Sequence, residues 1–120
     1  MTAPNIINVN SLIGKTDLMS VTTTTTAITT CATDKLYKIN SLVVSNIDGT
    51  NSADITVDIY RNSVAYHIAK TITVPADATL VVISKDMGIY LEEGDAIRCT
   101  ASAVNDLQAL CSYEIIDDGV

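Results

Sequence analysis

The sequence predicts an all-β fold: an antiparallel β-sandwich, jelly-roll-like, of about eight strands, with an extended N-terminal arm. Three observations predict it. First, the 16 Thr, 15 Ile and 11 Val residues make up about a third of the 120-residue chain. Branching at Cβ restricts χ1 and suits a pleated surface. Second, no stretch of a dozen residues keeps a convincing helical period. Third, short alternating runs punctuated by Gly, Asn, Asp and Pro recur from Asp34 to Ile116, the spacing of a sandwich or barrel. The expected organisation is an arm over residues 1–16 and a sandwich domain over 17–120.

Residues 1–16 mix polar and apolar positions without a period and carry two isolated apolar pairs, Ile6-Ile7 and Leu12-Ile13. Residues 18–31 read as a strand near a sheet edge. The threonine run Thr22–Thr26 gives it no preferred face, so its register must come from its neighbours. In Leu36–Asn46, Tyr37 and Ile39 share one parity and Leu42 and Val44 the other, which predicts a bulge or contact with both sheets. Asp54–Tyr60 alternates cleanly, with Ile55, Val57 and Ile59 inward, and should form a hairpin with Leu36–Asn46.

Arg61-Asn62-Ser63 is the next turn. Val64, Tyr66, Ile68, Ile72 and Val74 then share one face, which Lys70 interrupts, so the strand leaves the core or lies at an edge there. Pro75 stops it. Thr79–Ser84 reads as a short buried strand and Ile89–Leu91 as another. Finally, a hairpin turning at Asn105 would set Ile97 opposite Tyr113 and Cys99 opposite Cys111. A cross-strand disulfide is conceivable there, but two small buried hydrophobes are the better expectation in a cytoplasmically folded protein. Tyr37, Tyr66 and Tyr113 fall on apolar parities and are expected in the core.

Charge and composition exclude several functions. The net charge is −7, and no Lys or Arg cluster exists to neutralise phosphates or approach an anionic membrane. No apolar run reaches 18 residues, and Met1–Asn10 lacks the basic segment and apolar core of a signal peptide, so folding in a cytoplasm is expected. Three cysteines without a Cys-x-x-Cys pair give neither a disulfide framework nor a zinc site. The single histidine, His67, falls on a polar parity with no nucleophile motif nearby and reads as a surface residue. Asp48, Asn51 and Asp54 lack the spacing of a helix–loop–helix calcium site and are explained as a turn. Glu92, Glu93 and Asp95 sit in one tight turn. Without Trp or Phe there is no platform for sugars or bases. No catalytic, cofactor-binding or metal-ligating residue is expected, and the protein reads as a non-enzyme.

What remains is protein-to-protein contact. The arm suits clamping a neighbour by adding a strand to its sheet. Tyr60, on a polar parity, offers large contact area at low entropic cost. The expected partner-binding residues are therefore Ile6, Ile7, Leu12, Ile13 and Tyr60.

Three segments carry a resemblance: INSLVVSNIDGTNSADITVDIY (Ile39–Tyr60), YHIAKTITVPADATLVVI (Tyr66–Ile83) and YLEEGDAIRCTAS (Tyr90–Ser102). Over residues 30–116 the chain resembles small virion structural proteins of tailed bacteriophages, a group familiar from phages of aquatic bacteria, including cyanophages. The resemblance implies a particle component. It favours a capsid decoration (cement) protein on the head lattice, commonly a trimer, bound to the major capsid protein. A tail, neck or baseplate accessory protein is the alternative. Either would be folded in the host cytoplasm and end in the virion.

Overall fold

A computed structural model of the chain describes residues 11–117. Nine strands run through them: β1 (Ser11–Ser20), β2 (Thr26–Thr30), β3 (Leu36–Asn46), β4 (Ala53–Arg61), β5 (Val64–Val74), β6 (Thr79–Ile83), β7 (Ile89–Leu91), β8 (Ala96–Ala101) and β9 (Leu107–Asp117). The one helical element among the described residues is a 3-10 turn, Lys85–Met87, closed by Gly88 at φ 63°.

The strands form two antiparallel sheets. One has the order β1-β9-β3-β6, with β7 also on β3; the other has β2-β8-β4-β5. β6 pairs with Leu42–Ser45 and β7 with Tyr37–Ile39, so the two run end to end along one edge of β3. Counted as a single strand broken by the 3-10 turn, they leave eight strands. The antiparallel pairs are then first with last, second with next-to-last, and so inward to the β4–β5 hairpin. That is a long double ribbon rolled into two facing sheets, the jelly roll.

In β4, β8 and β9 the alternation seen in the sequence reports burial. Ile55, Val57, Ile97, Cys99, Leu107, Ala109, Cys111 and Tyr113 all face the core. The parity switch in β3 is a bulge at Asn40, the residue skipped between Ile39↔Tyr113 and Ser41↔Ser112. Tyr37 and Tyr113 stack with ring centroids 4.9 Å apart, the aromatic part of an otherwise aliphatic core.

Several expectations are corrected. β1 begins at Ser11 and pairs with β9 in unbroken register to Ser20, so residues 11–16 of the expected arm belong to a sheet. The first ten residues lie outside the described part. The segment 18–31 is the end of β1, a turn, and β2. β3 and β4 do not form a hairpin, nor do β8 and β9; each pair is split between the sheets. Cys99 is therefore paired with Val57 and Thr26, and Cys111 with Leu42 and Asp17. All three cysteines are free and buried. Tyr66 is exposed, as are Val64 and Ile72, on β5, which is an edge strand. β6 is likewise an edge strand, with Ile83 its one buried residue.

Buried polar groups tie the layers together. Asp17 Oδ2 on β1 accepts from Thr29 Oγ1 on β2 (3.0 Å) and from the Tyr113 hydroxyl on β9 (2.9 Å), joining the two sheets. Burial, then this hydrogen bond, pushes the Tyr113 phenol up from its ordinary range. Asn46 Nδ2 donates to the carbonyls of Asn51 and Val74, both at 3.0 Å, and its Oδ1 accepts from Asp48 N–H. Asp48 Oδ1 accepts from the N–H groups of Thr50 and Asn51, which hold its carboxyl below the usual range. The segment is thus a side-chain-capped loop crossing between sheets.

Asp95 closes the β7–β8 turn. Its buried carboxylate accepts from Arg61 Nε (2.9 Å), from Arg61 Nη2, and from Glu92 N–H (2.9 Å). Replacing it by Ala would leave the Glu92 donor and the Arg61 guanidinium without this partner. Arg61 is partly solvated and keeps Glu92, so a loss of about 2 kcal/mol is expected rather than the full cost of a broken buried pair. Urea unfolding of Asp95→Ala against wild type measures it, and an unchanged midpoint would contradict the assignment.

Candidate docking surfaces

Antiparallel partners directly opposite each other share a face. On the solvent side of the β1-β9-β3-β6 sheet the register therefore builds rows. Leu18 is opposite Leu110, Leu110 opposite Val43, and Val43 opposite Val81. One apolar rib crosses all four strands, with Leu18 71% and Val81 57% exposed at its ends. Its flanking rows are small and polar: Ser20, Gln108, Ser45 and Thr79 on one side, Thr16, Ser112 and Ser41 on the other. Thr16 and Ser112 hydroxyls meet at 3.1 Å. Beyond them, Glu114 stands opposite Lys38 and Lys38 opposite Tyr90. An apolar strip set in uncharged hydroxyls is inexpensive to desolvate, which is the property of a protein-docking face.

The outer face of the other sheet is of a different kind. Arg98 holds Asp58 through two bonds, Nε to Oδ1 at 2.9 Å and Nη2 to Oδ2 at 3.1 Å. Its guanidinium lies 3.8 Å from the centre of the Tyr60 ring. Tyr60 is therefore half-covered by Arg98 rather than presented freely. His67 is exposed opposite Asp58, whose carboxylate is committed to Arg98. Thr25 and Thr100 hydroxyls meet at 2.8 Å.

A third feature is the β4–β5 hairpin. Asn62 and Ser63 both take positive φ (52° and 63°), the geometry of a two-residue turn matched to strand twist. Beside it Ile59, Arg61 and the exposed Tyr66 line a shallow depression.

Of the expected contact residues, Leu12 and Ile13 are exposed on β1, at 58% and 55%. Ile6 and Ile7 lie outside the described residues. The rib Leu18–Leu110–Val43–Val81 was not among them. The signal that marks it is an apolar residue on an otherwise polar parity, as Leu110 is between Gln108 and Ser112. Among the described residues no group of three or more His, Cys, Asp or Glu side chains is arranged to hold a metal ion. No helix among them is long and apolar enough to cross a membrane.

No family model and no curated protein matches the sequence. Solved structures match the fold. A chain from Bacillus endospore appendages, described as disulfide-linked pili, superposes with a TM-score of 0.54 at 13% identity, covering 98% of each chain. A chain from the acid-stable capsid of the Helicobacter pylori bacteriophage KHP30 superposes with a TM-score of 0.52 at 4% identity, covering 92% of this chain and 91% of that one. Both share the architecture with this protein across nearly the whole length.

Proposed function

We propose that the protein is a non-enzymatic structural component of a bacteriophage particle, a decoration (cement) protein that binds the outer surface of the head lattice. The observation that carries this reading is the apolar rib across four strands, flanked by hydroxyls. It spans the outer face of the sheet from one edge strand to the other. The phage-capsid likeness of the fold and the acidic, chemistry-poor surface support it. The major capsid protein is the partner, and the resemblance favours a trimer. Repetition over a symmetric shell lets a modest contact hold by avidity. Tail, neck or baseplate placement is the alternative within the same reading.

The likeness to disulfide-linked pili favours a second reading, a self-assembling fibre subunit. Cysteine placement opposes covalent linkage of that sort: Cys31, Cys99 and Cys111 are all buried, and these are the chain's three cysteines.

The test is reconstitution on particles lacking the protein, read by co-sedimentation and by imaging where added protein sits. Wild type should occupy the head shell. Val81→Asp places a charge at the far end of the rib and should weaken binding at least about tenfold, roughly 1.4 kcal/mol, while the domain stays folded. Wild type found along the tail selects the alternative placement. Failure to bind any particle, or full binding by Val81→Asp, overturns the rib as docking face.

A further inference from the structure

The four sheet edges are not alike. β5 is broken by two register shifts against β4, carries Lys70, and holds Thr71 at φ 53°. β2 is five residues long and shifted against β8. The β6–β7 edge is interrupted by the 3-10 turn. Such bulges, breaks and charges are how sheets prevent further pairing. β1 has neither bulge nor break, and its two charges are of opposite sign. It runs ten residues in unbroken register with β9, without proline, and its outer edge has no strand on it among the described residues.

We propose that this edge binds the same edge of a second copy, β1 against β1′ antiparallel about a two-fold axis at Thr16. The strand's own side chains select both occupant and register. Its two charged residues are Lys15 and Asp17. A two-fold centred on Lys15 sets lysine against lysine, and one centred on Asp17 sets aspartate against aspartate; like charges directly opposite are destabilising. Centring on Thr16 sets each Lys15 opposite the other copy's Asp17.

The same register satisfies the exposed apolar residues. Leu18 falls opposite Gly14 of the second copy, where even a Cβ would meet nothing within 4 Å. Leu12 falls opposite Ser20 of the second copy. There the structure has a depression lined by Leu18, Met19, Ser20, Gln108, Ala109 and Leu110. Leu12 shares the outer face with four of the six lining residues, Leu18, Ser20, Gln108 and Leu110, since Leu12, Leu18 and Ser20 lie on the even parity of β1. Ile13 meets Met19 on the inner face. Each contact occurs twice by symmetry, as an isologous interface requires. The pairing joins the two four-stranded paths into one continuous sheet. It is closed by its two-fold and uses the edge rather than the far end of the rib, so it goes beyond the particle-binding reading and does not depend on it.

The test uses the full chain at about 0.15 M salt, where charges more than about 8 Å apart are largely screened and the −7 charge of each copy opposes association less. Sedimentation should show a concentration-dependent dimer. Lys15→Glu puts acid opposite Asp17 at both ends of the register, and should shift the chain to monomer with an unchanged circular dichroism spectrum. Thr16→Cys places a thiol on the axis and should give a disulfide-linked dimer on mild oxidation. Leu18→Cys, four residues from its own counterpart, should not. Val81→Asp should leave the dimer intact, so failure of this contact and failure of the rib read out separately. A wild type that stays monomeric, a Lys15→Glu chain that stays dimeric, or cross-linking through Leu18→Cys but not Thr16→Cys would overturn the proposal.

Discussion

Between pH 9 and pH 11 the protein is expected to lose much of its folding stability. Burial pushes the thiols up from an ordinary 9.0: Cys31 and Cys111 to about 11, and Cys99 to about 12. A raised value means the folded state keeps its proton where the unfolded chain has released it. The stabilisation is therefore full below pH 9 and is lost as pH rises through the folded values. One group contributes a slope of up to about 1.4 kcal/mol per pH unit, so three together reach about 4 kcal/mol per unit at the steepest. Against a typical total of about 5–15 kcal/mol, that is decisive. Tyr113, also pushed up by burial, adds in the same direction.

Urea midpoints at pH 7, 9, 10 and 11 measure this loss. A Cys99→Ala, Cys111→Ala double variant should start less stable at pH 7, since it opens space in the core. Its decline above pH 9 should nevertheless be clearly shallower, because of the four raised groups only Cys31 and Tyr113 remain. An unchanged slope would place the alkaline transition elsewhere.

Leu42→Ala is expected to cost about 3 kcal/mol, within the range for deleting buried aliphatic side chains. For a chain of this length that lowers the melting temperature by about 10 °C. Leu42 is fully buried on β3, opposite Ile83 and Cys111. Three sheet strands fix the backbone around it, so the cavity has little room to collapse. The core has no Phe or Trp to swing into the gap. Leu18→Ala removes the same atoms from a side chain 71% exposed, and should change stability by less than about 0.5 kcal/mol. Equal effects from the two substitutions would mean that the burial assignments are wrong.

Much of the fold was legible because alternation is a local property. Ile55 and Val57, or Cys111 and Tyr113, point inward since successive residues of a strand face opposite sides. The bulge at Asn40 was legible for the same reason, since one extra residue reverses the parity of the rest of the strand. Pairing was not. The loop Ile47–Ser52 and the turn at Asn105 have hairpin-like composition, yet each carries the chain from one sheet to the other. Turn residues report that a strand ends, not which strand lies beside the next one. The exposure of Tyr66 is hidden by the same limit: its parity is inward, but it lies on an edge strand, which pattern alone does not reveal.

The docking surfaces divide in the same way. Leu12 and Ile13 stood out as an isolated apolar pair and are exposed. Leu18, Val43, Val81 and Leu110 lie on four strands spread over 93 positions of the sequence, and register alone brings them into line. By itself the sequence determined the all-β class, the aliphatic core, the inward and outward faces and the poverty of catalytic groups. Each of these comes from residue type and a period of two. Only the tertiary structure decided strand order, the burial of Cys31, the rib, and which edge was left regular and open. Those depend on contacts between residues far apart in the chain, to which local pattern is blind.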